Sequence, residues 1–288
     1  MKTAGHTMGT ASMTLEESMC FMASLGHQGI EVRLPKDSPL HPASGGGVDL
    51  ESLKAASASL PIAFACLCPY EREYLTREES QATVEKLKQV AELAAELSCP
   101  YIRLLSGVSN PKDPAIHYEE NWQRTVDGIQ AVARHAARIG VGLCIETHSG
   151  TLAMSARMAC RLIDDINMNN VGLLLDVVWD HLANVGGPVE SIKRYARYLR
   201  HVHIKDCRVI SRLPPRTEPV LYGHGVMDIS GILTALDQVG FEGYVCDEYE
   251  KYWYPDLLPD PESGMKHNIE TLLRMLRSIG SLPDYCRR

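Results

Sequence analysis

The sequence predicts an α/β protein built as one (β/α)8 barrel, and three observations carry that prediction. Short apolar runs alternate with longer amphipathic runs along almost the whole chain, the pattern of helices packed on a parallel sheet. The apolar runs number eight, each followed by a helical pattern, which favours closure into a barrel over an open sheet. The last four runs end in a carboxylate or an imidazole, and in barrels the C-terminal ends of the strands are where chemistry is placed.

Taken in order, the strands are expected over residues 3–6, 29–34, 62–68, 101–106, 142–147, 171–176, 201–205 and 244–249. Most are rich in Val, Ile, Leu or Cys and carry few charges before their C-terminal ends, as strands buried on both faces do. The first helix is announced by Thr14-Leu15-Glu16-Glu17, a capping box with Thr14 as N-cap and Glu17 reaching back. It turns Met19, Met22, Ala23 and Leu25 towards a core and stops near Gly26. Further helices are expected over 50–59, 78–97, 122–139, 155–166, 191–199, 229–239 and 266–279, each with apolar residues at the helical period. Loops fall over 35–47, 69–77, 107–114, 207–225 and 251–264. No GxGxxG follows the first strand, which counts against a dinucleotide-binding doubly wound sheet. The Gly45-Gly46-Gly47 run lacks the Lys-Ser/Thr of a phosphate cradle and reads as a flexible loop. No linker divides the chain, so 1–288 is expected to form a single domain.

Bulk composition excludes several function classes. Hydrophobic residues make up 45% and charged residues 23%, ample for a large core. A net charge of −7, with no basic cluster beyond the Arg287-Arg288 pair, argues against a nucleic-acid partner. No apolar run reaches the roughly 18 residues of a membrane span, and the first residues carry Glu16, Glu17 and His27 instead of a signal-peptide core. Of nine cysteines, Cys66, Cys144 and Cys246 sit inside apolar strands, where Cys behaves as a small hydrophobe. Free thiols in a reducing cytoplasm are expected. Cys66-x-Cys68 has no second pair at finger-like spacing, so it does not read as a metal site.

The strand ends are the informative feature. Gly142-Leu-Cys-Ile-Glu146, Gly172-Leu-Leu-Leu-Asp176 and Gly243-Tyr-Val-Cys-Asp247-Glu248 run from apolar into acid, and His201-Val-His203-Ile-Lys205-Asp206 carries imidazoles, an ammonium and a carboxylate. Successive strands of a barrel bring these ends to one rim. Buried carboxylates and a histidine need a positive partner, and a divalent cation supplies it. Carboxylate oxygens with one imidazole suit Mn²⁺ first, then Mg²⁺ or Co²⁺, over a thiolate-type zinc site. Strand alternation puts His201, His203 and Lys205 on one face, so parity does not choose between the two histidines, and Lys205 can face a substrate while Asp206 orients a loop. Glu31 and Arg33 also share a face, as substrate contacts or as an ion pair within the barrel. Tyr249, Tyr252, Trp253 and Tyr254 can wall a sugar ring or form a dimer contact.

The motifs Ile145-Glu146-Thr147-His148-Ser149-Gly150, Gly172 to Asp176, His201 to Asp206 and Gly243 to Glu248 resemble the sugar phosphate isomerase/epimerase family. That family belongs to the xylose isomerase-like TIM barrels and includes ketose 3-epimerases and inosose isomerases. The resemblance covers nearly the whole chain. It implies one divalent ion per chain, Mn²⁺ foremost with Mg²⁺, Co²⁺ or Zn²⁺ as alternatives, ligated by Glu146, Asp176, His203 and Glu248. Glu146 and Glu248 would also be the acid/base pair. His148, Lys205 and Arg103 are the implied substrate contacts, with Glu31 as a further candidate. Many members carry a histidine three residues after the aspartate ligand; this chain has Trp179 there and His181 two residues on, which makes His181 the substrate-binding candidate of that loop.

The expected function is metal-dependent isomerisation or epimerisation of a keto sugar or related polyol, by proton abstraction beside a carbonyl. A lyase using the same first step, of the inosose dehydratase or 3-keto-glycoside lyase type, is the alternative. A metal-dependent endonuclease and a non-catalytic sugar-binding barrel rank below both. The partner is a small sugar or polyol, with a homo-oligomer compatible.

Overall fold

Ten strands form in the computed structural model, which describes residues 1–44, 49–109, 117–183 and 186–280. They are β1 (Lys2–His6), β2 (Gly29–Leu34), β3 (Ala63–Pro69), β4 (Tyr101–Leu104), β5 (Gly142–Glu146), β6 (Val171–Asp176), β7 (Leu199–Ile204), β8 (Asp206–Arg212), β9 (Pro215–Val220) and β10 (Tyr244–Asp247). Eight close into a parallel barrel in the order β1-β2-β3-β4-β5-β6-β7-β10, while β8 and β9 form a separate antiparallel hairpin. All eight expected barrel strands are present. The hairpin occupies most of the segment 207–225 that reads as a loop in sequence, because its residues alternate weakly between charged and apolar side chains. The Gly45-Gly46-Gly47 run and part of the 107–114 loop lie outside the described residues.

The helices are α1 (Leu15–Leu25), α2 (Leu50–Ser59), α3 (Arg77–Glu96), α4 (Tyr118–Arg138), α5 (Ala156–Ile166), α6 (Val177–Ala183), α7 (Gly187–Tyr195), α8 (Ile229–Gln238) and α9 (Pro261–Ser278). The Thr14 capping box is formed in full, and Gly26 ends α1 in the left-handed conformation at φ 94°, which glycine adopts without steric cost. Helix α4 starts before 122, and two further helices also start earlier than the sequence pattern suggests, α7 before 191 and α9 before 266. Both carry proline in the first turn, Pro188 and Pro261, where the missing N–H would have had no partner in any case. Helix α6 follows β6 directly and is absent from the sequence pattern, being too short to show a period.

Apolar side chains between strands and helices form one continuous core that includes Ile30, Leu67, Ile102, Leu143, Leu173, Val202 and Val245. Small residues (Ala4, Ala65, Cys246) pack beside Tyr244 in a separate cluster. Polar residues of the strands, among them Glu31, His201 and His203, are buried as well. No described helix is long and apolar enough to cross a membrane.

Candidate metal centre and substrate pocket

Register delivers the strand-end residues to one level. Asp176 lies beside His203 across β6 and β7, and His203 lies beside Cys246 across β7 and β10. Glu146 ends β5 and Glu248 follows β10 directly. One ligating atom from each of Glu146, Asp176, His203 and Glu248 falls within 4.8 Å of every other, and all four residues are buried. His203 Nδ1 stands 3.2 Å from Glu146 Oε1 and 3.4 Å from Glu248 Oε1, yet it has no hydrogen-bond partner. A buried imidazole nitrogen without a partner, facing carboxylates, is the donor set a divalent cation fits.

Two cations brace the acids. Arg103 Nη1 donates to Glu146 Oε2 at 2.9 Å. Lys205 Nζ lies 2.6 Å from Glu248 Oε2, 2.8 Å from Asp176 Oδ2 and 3.2 Å from Glu250 Oε1. Burial alone would raise the pKa of Glu146, but Arg103 and His203 outweigh it and hold that carboxyl low. Burial is likewise overcome at Glu248, where Lys205 and His203 keep the group ionised. Asp176 goes the other way. Burial, together with the charges of Glu248 and Glu146, raises it in spite of Lys205. At Asp176 alone of the three, burial and the neighbouring carboxylates outweigh the cation beside it.

Above the centre opens a cavity of about 580 Å³ whose wall includes His6, Tyr70, Arg103, Glu146, His148, Trp179, His203, Lys205, Glu248, Glu250, Trp253 and Tyr254. Its volume suits a sugar-sized ligand. Of the substrate-binding candidates, His148, Lys205 and Arg103 line it. His148 Nδ1 pairs with the Ser149 carbonyl at 2.7 Å, and its ring packs on Trp179 with centroids 5.2 Å apart.

Two candidates require correction. Glu31 is fully buried, and its oxygens accept from His201 Nε2 at 2.6 Å and His203 Nε2 at 2.7 Å, which leaves it no path to a substrate. It does not pair with Arg33, whose guanidinium stacks 3.8 Å from the Tyr252 ring centroid. His181 is not part of the cavity wall and meets Arg212 of the hairpin at 3.1 Å. The α6 helix turns Trp179 into the cavity instead, because residues two apart on a helix point in different directions. The hairpin, for its part, contributes no residue to the cavity wall.

Tyr70 and Glu250 were not singled out in the sequence. Glu250 lies two positions beyond Glu248, a spacing that could have flagged it, whereas Tyr70 follows a strand without any pattern. His201 sits deeper than His203, inside the barrel, as the choice of His203 for the ligand requires.

The family described as the xylose isomerase-like TIM barrel matches residues 21–278. The chain belongs to this family. It is 26% identical over 257 residues to the inosose dehydratase of Geobacillus thermodenitrificans, covering 83% of each chain. Among solved structures it resembles the IOLI protein with a bound zinc atom, at TM-score 0.78 and 21% identity, covering 99% of this chain and 100% of that one. It also resembles an L-ribulose 3-epimerase at TM-score 0.77 and 20% identity, covering 97% and 95%. The eight described cysteines are free.

Proposed function

We propose that this member of the family is a divalent-metal-dependent enzyme that removes a proton from the carbon beside the carbonyl of a keto sugar or keto-inositol. The observation that carries the reading is the convergence of Glu146 and Glu248 with Asp176 and the unpartnered Nδ1 of His203 at the floor of the cavity. When bound there, a divalent ion such as Mn²⁺ would supply Lewis acidity towards the substrate carbonyl. Glu146 and Glu248 are both kept ionised and both reach the cavity, so either can take the proton. Arg103 and Lys205 fix the two carboxylates and offer N–H donors to substrate oxygens. Trp179, Tyr70 and Trp253 supply apolar walls for the ring faces of a sugar.

Two outcomes follow from the same first step. The glutamate that does not take the proton can return one to the opposite face of the same carbon, which gives isomerisation or epimerisation. Alternatively a proton is delivered to a hydroxyl on the next carbon, which leaves as water. The similarity to inosose dehydratases over 83% of both chains favours this second outcome. Incubation with Mn²⁺ in D₂O and a panel of keto sugars and keto-inositols separates them. Deuterium gained beside the carbonyl without loss of water supports epimerisation; product lacking one water supports dehydration. If no compound in a broad panel exchanges its proton, the reading fails.

A further inference from the structure

We infer that Glu31 is a positioning residue for the metal centre: its carboxylate fixes His203 in the tautomer and orientation that present Nδ1 to the ion. The inference rests on the metal-dependent reading above, but it concerns a residue on the opposite side of the histidine from the cavity. Glu31 is fully buried inside the barrel, with an accessible surface of 0%.

The proton inventory supports it. Glu31 Oε1 accepts from His203 Nε2 at 2.7 Å and from Cys68 Sγ at 2.6 Å, while Oε2 accepts from His201 Nε2 at 2.6 Å. A carboxylate accepts only, so each of these partners must contribute its hydrogen. His203 therefore carries a proton on Nε2, and Nδ1, the atom that faces Glu146 and Glu248, is the nitrogen that an ion would take. His6 extends the arrangement. Its Nδ1 accepts from the Met8 N–H at 3.0 Å, which leaves Nε2–H directed at Glu31 Oε1 from 3.8 Å.

The same inventory decides against reading these residues as a second metal site. Two further buried groups, His6 with Glu31 and Cys68, and Glu31 with His201 and Cys246, have ligand-like spacing. In both, the nitrogen that faces Glu31 is a donor, and in the first the thiol also gives its hydrogen to that carboxylate. Glu31 instead acts on the ligand His203, as a carboxylate behind a metal-bound imidazole does, by orienting the ring and raising its basicity.

The test compares the full-length wild type with Glu31→Gln, using zinc alone as probe and a competing chromophoric chelator. The amide places an N–H₂ against one of the donors, so the anchor is broken with little change of volume. Zinc binding should weaken roughly 10- to 100-fold, while the melting curve of the zinc-free protein stays cooperative. Equal zinc affinity in the two proteins would overturn the inference and leave the metal-dependent reading standing. A wild type that binds no divalent ion would overturn both. Should the variant fold poorly, ¹⁵N NMR of the zinc-loaded wild type still decides. A proton on Nε2 and metal on Nδ1 of His203 support the assignment, and the reverse arrangement refutes it.

Discussion

At the scale of single residues, Asp176 shows how one side chain serves fold and site together. Its Oδ1 accepts from the backbone N–H groups of Val178 at 2.9 Å and Trp179 at 3.0 Å, capping α6, while Oδ2 faces Lys205 at 2.8 Å. Asp176→Asn should retain the cap and weaken metal binding. Asp176→Ala should lose the cap as well and be about 1 kcal/mol less stable than the Asn variant; equal thermal midpoints would contradict the capping role. Glu146→Gln and Glu248→Gln should behave differently from both. They keep an oxygen towards the ion but cannot accept a proton, so turnover should fall by roughly 10²-fold or more with much of the metal retained. Near-normal turnover by both metal-loaded variants would defeat the two-glutamate scheme. Much of this site could be read from the strand ends, because alternation places His201, His203 and Lys205 on one face. Contacts across the barrel could not be read. The period of two says which way Glu31 points but not that two histidines meet its carboxylate, because that contact joins β2 to β7 across the barrel.

At the scale of elements, the segment after β7 departs most from the sequence reading. It forms a hairpin packed near α6, and the residue that anchors it is Asp206. The Asp206 carboxylate accepts from the N–H groups of Cys207 at 2.9 Å, Gly223 at 3.0 Å, Gly225 at 2.9 Å and Met227 at 3.1 Å. The expectation that Asp206 orients a loop thus has a concrete form. Gly225 must be small for the same reason, since a Cβ there would lie 2.1 Å from Asp206 Oδ1 and 2.4 Å from the Cys207 carbonyl oxygen. Gly225→Ala and Asp206→Ala should each cost on the order of 2 kcal/mol, through displaced or unsatisfied hydrogen bonds. Both should leave zinc affinity nearly unchanged, because the hairpin gives no wall to the cavity. A urea-unfolding midpoint equal to wild type in both variants would show that this turn is held by something else. Such a network is hard to see in sequence because three of its four donors lie 17, 19 and 21 residues beyond the acceptor. The early starts of α7 and α9 have a simpler origin: a proline that normally breaks a helix is harmless in the first turn.

At the scale of the whole molecule, the barrel separates a face for chemistry from a face for stability, and His27 tests that separation. It follows α1 at the N-terminal side of the strands. Gly5 of β1 is its close neighbour, a Cβ there lying 3.3 Å from His27 Nε2, and only 1% of its surface is exposed. Burial lowers its pKa from 6.5 to about 4. The unfolded chain holds the ordinary value, so between these two pH values the unfolded state binds the extra proton and folding opposes it. The linkage has a definite sign. The depressed imidazole imposes no penalty above pH 6.5; stability then falls as the solution is acidified towards pH 4, by on the order of 3 kcal/mol in total. His27→Leu removes the titrating group, so its urea-unfolding midpoint should decline less steeply over the same range than that of wild type. Both should be measured with chelator present, so that protons competing for the metal centre do not contribute. Parallel declines in the two proteins would mean that His27 is not the group responsible. Metal affinity at neutral pH should be the same in both, because His27 shares no contact with Glu146, Asp176, His203 or Glu248, and a change in it would show that the two faces of the barrel are coupled.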